Sequence, residues 1–240
     1  MTKQEKEQCV FETFTRLSGV AFDRFQFGQP PDEPDIVAWR GSERFGIEIT
    51  SFYRRSERAR EGEENLTLER AQRIYESRGK PFVDVCVDWA FDHPITKRER
   101  EHVSHELATL VEQNLPSEGN EVELDWARLP TGLASFCDSM QIERSDRFDQ
   151  NHWYSSRGGF VLDWEPHLIQ TEIDRKNPKP SKYRDGFSEI WLLLVSESGM
   201  PSSWLEMTDR ACSTFYKSAF KRVFLLSSSP IKVFELHVSQ

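Results

Sequence analysis

Long apolar runs are missing from this 240-residue chain. No stretch approaches the roughly eighteen consecutive apolar residues that a bilayer-spanning helix needs, so no membrane span is expected. The N-terminal MTKQEKEQCV lacks the apolar core of a signal peptide, and a cytoplasmic location is expected. Cysteine is sparse. Cys9, Cys86, Cys137 and Cys212 lie far apart and form no C-x-x-C pair, which argues against a disulfide framework or a zinc ribbon and for reduced thiols. No G-x-S-x-G, Walker A, G-x-G-x-x-G or H-E-x-x-H occurs, which leaves nucleophile-elbow, P-loop, dinucleotide and zincin chemistry without support. His102 and His105, three apart in HVSHE, read as ordinary helix histidines. Positive charge is also short: 31 Lys and Arg stand against 40 Asp and Glu, a net charge of -9. That argues against a protein that coats duplex nucleic acid with its whole surface, but it leaves room for one local basic patch.

What is present suits a folded α/β chain. Only 37% of residues are hydrophobic and 30% are charged, yet seven Trp and seventeen Phe supply a large apolar surface. The pattern predicts an amphipathic helix over 3–18 ending at Gly19, a strand over 20–27, and strands in IVAW and GIEIT. A helix over 63–78 and a strand over 82–90 follow, then a helix over 96–115 and a strand over 121–129. Residues 141–157 are polar and read as a loop. GFVLDW (159–164) reads as a strand, and a helix starts near Pro166, a favoured residue for a first helical turn. EIWLLLVSE (189–197) is the most apolar run, expected to be a central strand covered on both faces. A helix over 203–219 and strands over 222–227 and 231–238 complete the chain. No repeat or linker marks a boundary, so one α/β domain over 1–240 with a long insertion is the economical expectation.

Two acidic residues carry the chemistry. Asp35 opens the strand in EPDIVAW, and Glu48 lies near the end of the strand in FGIEIT. With the turn RGSER between them, an antiparallel hairpin sets the start of one strand beside the end of the other. The carboxylates then meet at one end of a sheet, a geometry that holds a divalent cation. Two basic clusters accompany them: YRRSERAR (53–60), with Arg54 and Arg55, and IDRKNPKPSKYR (173–184). Each also reads as a solvated face.

Pro34-Asp35, the hairpin and Glu48 together resemble the PD-(D/E)xK nuclease superfamily, the restriction-endonuclease-like fold. The order helix, three strands, helix, strand is similar to that fold's core, with a long insertion and a C-terminal elaboration. The signature's lysine position holds Thr50. A second stretch, Ile173, Lys176, Asn177, Lys179 and Tyr183 followed by Trp191 to Leu194, resembles an uncharacterised bacterial branch of the superfamily that carries Glu-x-Thr. The two motifs lie within roughly residues 30–195.

The resemblance implies hydrolysis of a phosphodiester in DNA or RNA. Asp35, Glu48 and the backbone carbonyl of Ile49 are the implied ligands of Mg²⁺ or Mn²⁺. Such a cation activates water and stabilises the developing charge. Thr50 offers a hydroxyl and no charge, and a lysine from another element could fill the gap. Lys176 is the first candidate. Gln170 is a further candidate, although six residues on a regular helix leave it roughly 120° away from Lys176. Lys179, Lys182, Tyr183, Arg54 and Arg55 are candidates for contacting substrate, and Glu12 on the first helix for a further carboxylate. The expected partner is nucleic acid, with homodimer formation left open. The rival expectation is a nuclease-like fold that no longer cuts and serves as a nucleic-acid or protein-binding module, favoured by Thr50 and by the net negative charge.

Overall fold

The computed structural model describes residues 2–156, 162–163, 165–196, 201–203, 205–228 and 230–239. In chain order its elements are α1 (Lys3–Ser18), β1 (Arg24–Phe27), β2 (Ile36–Arg40), β3 (Glu43–Phe52), α2 (Arg55–Ser77), β4 (Asp84–Trp89), α3 (Arg100–Gln113), β5 (Asn120–Asp125), the single turn α4 (Thr131–Ala134), β6 (Cys137–Arg144) and β7 (His152–Ser155). Then come β8 (Leu162–Asp163), α5 (Pro166–Lys176), a 3-10 turn (Pro180–Lys182), β9 (Glu189–Ser196), a second 3-10 turn (Pro201–Ser203), β10 (Leu205–Glu206), α6 (Asp209–Ser213), β11 (Phe215–Lys217), β12 (Arg222–Ser228) and β13 (Ile231–Ser239). The class is α/β, with mixed sheets flanked by helices. The chain divides into two units: Met1–Arg54 with Phe160–Gln240, and Arg55–Gly159.

The first unit is built on a seven-stranded sheet in the order β1-β2-β3-β9-β12-β13-β11. β1, β2 and β3 are an antiparallel meander. Gly41, at φ 59°, opens the two-residue turn between β2 and β3, a position where a side chain would meet strain. β3 then runs parallel to β9 from Phe45 opposite Glu189 to Phe52 opposite Ser196, and β12 runs parallel to β9 on its other side. β9 is therefore central, as its continuous apolar sequence predicts.

Each helix buries one stripe. In α1, Phe11 and Phe14 pack with Ile36, Ala38, Ile47 and Trp191 on one face of the sheet. The helix starts with a capping box between Thr2 and Glu5 and ends at Gly19 in the left-handed conformation, φ 70°. In α5, Ile169 and Ile173 pack with Phe52, Leu192 and Leu194 on the other face. Because strand side chains alternate, Ile47 points toward α1 while Glu48, Thr50 and Phe52 point toward α5.

The second unit packs α2 and α3 on a four-stranded sheet ordered β5-β6-β4-β7. Its core joins Leu68, Tyr75 and Leu107 from the helices to Val85, Val87, Met140 and Ile142 from the sheet.

Several expectations are corrected. The strand expected over 82–90 exists as β4, but it pairs with β6 and β7 and not with the sheet that carries Asp35 and Glu48. The stretch expected as a loop (141–157) contains the end of β6 and all of β7. Its inward residues Ile142 and Trp153 are buried, while Gln141, Glu143, His152 and Tyr154 are exposed, and that polar outer face hid the strand pattern. The helix expected over 203–219 shrinks to α6. Thr208 caps it through the amide of Ala211, and the β-formers after it pair as β11 with β13, Phe215 opposite His237. The helix expected from 63 begins at Arg55, so much of the basic cluster 53–60 is helical, with Arg58 paired to Glu61 and Arg60 to Glu64. Of the strand expected over 159–164, Leu162 and Asp163 form β8, and the rest lies outside the described residues.

Candidate active site

Asp35 stands one residue before β2. Ile36 pairs with Ile47, so the same register sets Asp35 opposite Glu48 and on the same face of the sheet. Asp35 accepts a hydrogen bond on Oδ2 from the amide of Ile49 at 2.9 Å. A strand residue sends its N–H and C=O out along one edge, so the Ile49 carbonyl lies on the edge of β3 that faces Asp35, beyond the end of β2.

Glu48 is 1% exposed, and both oxygens of its carboxylate accept hydrogen bonds. Lys176 Nζ donates to Oε1 at 2.7 Å, Lys179 Nζ donates to Oε1 at 2.5 Å, and the Tyr183 hydroxyl donates to Oε2 at 2.5 Å. Burial works to raise the pKa of Glu48, but the hydrogen bonds from Lys176, Lys179 and Tyr183 outweigh it and hold the carboxyl below its ordinary value. Burial, and then the neighbouring Glu48 carboxylate, push the Tyr183 phenol far above its ordinary range, so it stays protonated and donates.

The reach of Lys176 follows from the helix. Ile169, Ile173 and Lys176 fall on one stripe at i, i+4 and i+7, and all three are buried. The apolar pair docks on the sheet, and the stripe delivers the ammonium to Glu48. Gln170 lies off that stripe. Its amide donates to Asp174 at 2.8 Å and to the Lys217 carbonyl at 2.9 Å, and it accepts from the Lys217 amide at 2.9 Å. It ties α5 to β11 and does not join Glu48.

Thr50 shares the Glu48 face, and its hydroxyl accepts from Arg175 at 3.0 Å. A guanidinium, itself paired with Glu172, thus stands against the position where the signature that the sequence resembles has lysine. Lys182 is exposed on the 3-10 turn. Arg54 is half-buried, with its amide on the Ser202 carbonyl, and Arg55 is exposed at the start of α2, in the second unit. Glu12 is exposed and accepts from Gln8.

No family model, curated protein or solved structure matches this chain. What the site can do therefore rests on its own geometry.

Sequence reasoning missed two residues on α1. Lys3 Nζ lies 3.0 Å from Glu7 and 3.4 Å from Asp35 Oδ1. Burial and the neighbouring Asp35 raise the pKa of Glu7, although Lys3 opposes them. The first-helix carboxylate beside Asp35 is thus Glu7 and not Glu12. Five residues are 1.4 helical turns, which sets the two acids on different sides of α1. The i,i+4 spacing of Lys3 and Glu7 was visible in the sequence, but nothing in it aimed the pair at Asp35.

Among the described residues, no group of three or more His, Cys, Asp or Glu is arranged to hold a metal ion. The donor set that the resemblance implies, Asp35, Glu48 and the Ile49 carbonyl, fits Mg²⁺ or Mn²⁺ in kind. It is all oxygen, and Mg²⁺ commonly takes one or two carboxylates and fills its shell with water and phosphate oxygens.

Proposed function

We propose that the first unit is a metal-dependent nuclease that hydrolyses phosphodiester bonds in DNA or RNA at Asp35, Glu48 and Lys176. The observation that carries this reading is the 2.7 Å approach of Lys176 Nζ to Glu48 Oε1. It brings a lysine from α5 to the carboxylate whose own strand offers Thr50. The element order adds support: α1, the meander β1 to β3, then α5 and β9, is the order of the fold the sequence resembles, completed across the inserted second unit.

Asp35, Glu48 and the Ile49 carbonyl would hold Mg²⁺ or Mn²⁺. When bound, the cation supplies Lewis acidity and lowers the pKa of water. Lys176, 8% exposed, orients the attacking water and offsets negative charge on the phosphate. Lys179, whose side chain is 44% exposed, is free to leave Glu48 for a phosphate oxygen. Tyr183 keeps its proton and holds Glu48 in place. Lys182, exposed on the 3-10 turn, extends the positive charge along the backbone of the substrate.

A second reading rests on a specific observation. Both oxygens of Glu48 are already occupied by three donors, which suits a nuclease-like fold that binds nucleic acid without cutting it. Labelled DNA and RNA incubated with Mg²⁺, Mn²⁺ or EDTA separate the two. The nuclease reading expects cation-dependent cleavage that is lost in Asp35→Ala and in Glu48→Ala. Binding without cleavage would favour the second reading, and cleavage unchanged in both variants would remove the carboxylates from the mechanism.

The basic segment makes its own prediction. Removing one phosphate-binding cation should flatten the dependence of log affinity on log salt by about 0.7–0.9. Lys179→Met is expected to show that change in a titration across salt concentrations, with a weaker effect on the turnover of bound substrate.

A further inference from the structure

The geometry points to Lys3 as a built-in counter-cation that competes with the divalent metal for Asp35 and so sets the metal affinity of the site. This rests on the reading of Asp35 and Glu48 as metal ligands.

Three lysines approach the two acidic residues, and they differ in exposure. Lys176 is held by the buried stripe of α5, and its side chain is 10% exposed. The side chain of Lys3 is 76% exposed, while the carboxylates that it spans, Glu7 and Asp35, are 13% and 10% exposed. A long, solvated arm thus covers two nearly buried acids. Asp35 Oδ2 is turned to the Ile49 amide, and Lys3 reaches the other oxygen, Oδ1.

Two neighbouring carboxylates repel one another unless a cation lies between them. Between Glu7 and Asp35 that cation is the Lys3 ammonium. A divalent ion carries twice the charge and takes carboxylate oxygens directly, so it removes the need for Lys3. Lys3 must leave Asp35 for the ion to enter. Because it is exposed, the arm gives up little packing when it swings into water, and the exchange needs no movement of the backbone. Lys3 is therefore a positioning residue whose loss strengthens metal binding, opposite to the loss of any residue that assists it.

Mn²⁺ binding to the full chain, measured by calorimetry at fixed ionic strength, tests this without reference to turnover. Lys3→Met is expected to bind Mn²⁺ about two- to fivefold more tightly than wild type, the range for an exposed ion pair. Lys3→Arg, which keeps the charge, should bind as wild type does. Asp35→Asn should bind at least tenfold more weakly. In the absence of metal, Lys3→Met should melt below wild type, and Mn²⁺ should close that gap. If wild type binds and Asp35→Asn weakens binding, but Lys3→Met binds no more tightly than wild type, the role of Lys3 is overturned and the metal site stands. If wild type and Asp35→Asn are alike in failing to bind, the metal reading fails and the inference falls with it.

Discussion

Glu48→Ala is expected to abolish the proposed cleavage and to destabilise the first unit by about 3 kcal/mol, the lower end of the cost of removing one partner from a buried ion pair. Glu48 is 1% exposed and balances two ammonium groups on a single oxygen. Lys179 can turn to solvent when the carboxylate is removed. Lys176 cannot do so without pulling the end of α5 from the sheet, because Ile173 anchors the preceding turn. Chemical denaturation of the full chain, followed by circular dichroism, reads the loss. Glu48→Gln separates charge from shape, since the amide keeps an acceptor oxygen and drops the charge.

The same hydrogen bonds give stability a pH dependence. The carboxyl of Glu48 lies below its ordinary value in the folded chain, because the donors outweigh the burial that opposes them. Its contribution is complete above the ordinary glutamate value of about 4.3 and is lost as pH falls through the lower, folded value. Stability measured between neutral pH and that acid limb should fall more steeply in wild type than in Glu48→Gln.

Gly28→Ala is expected to cost about 3 kcal/mol, at the upper end for overpacking, and to slow cleavage about a hundredfold, the loss associated with roughly 1 Å of misplacement at a reacting centre. A Cβ at residue 28 would lie 1.8 Å from the carbonyl oxygen of Pro34, a backbone atom that cannot turn aside. The amide of Gly28 also donates to the Asp35 carbonyl at 3.0 Å, so any retreat of Pro34 carries Asp35 with it. The loop has little slack. Glu33 accepts from the Gln29 amide and from Arg44, and the Arg184 amide donates to the Asp32 carbonyl. Asp35 would be drawn away from the Ile49 amide, while Glu48, on its own strand, stays in place. Melting temperature and cleavage rate measured on one preparation report both effects.

How much of this was legible in the sequence depended on how local the cause was. The span of α1 was readable because its apolar stripe and Gly19 lie within one helix, and the hairpin was readable because a short turn joins its strands. β9 was readable as a central strand because it is apolar on both faces. Its parallel pairing with β3 was not, since the partners are more than a hundred residues apart and no local pattern encodes that register. The strand order of the second unit was hidden for a related reason: Gln141, Glu143, His152 and Tyr154 face water and made the end of β6 and all of β7 look like a loop. At the site, spacing alone separated Gln170 from Lys176, whereas Glu7 emerged only once the direction of α1 was known.

Moving the lysine tests the proposed chemistry most directly. Thr50 faces the same side as Glu48 and occupies the position where the resembled signature carries lysine. Cleavage rates are compared for wild type, Lys176→Ala, and Lys176→Ala combined with Thr50→Lys. Lys176→Ala should slow cleavage by about a hundredfold or more, as loss of a group that stabilises transition-state charge does, and Thr50→Lys in the same chain should recover a large part of the rate. Cleavage by Lys176→Ala at the wild-type rate would contradict the role given to Lys176 and, with it, the proposed site.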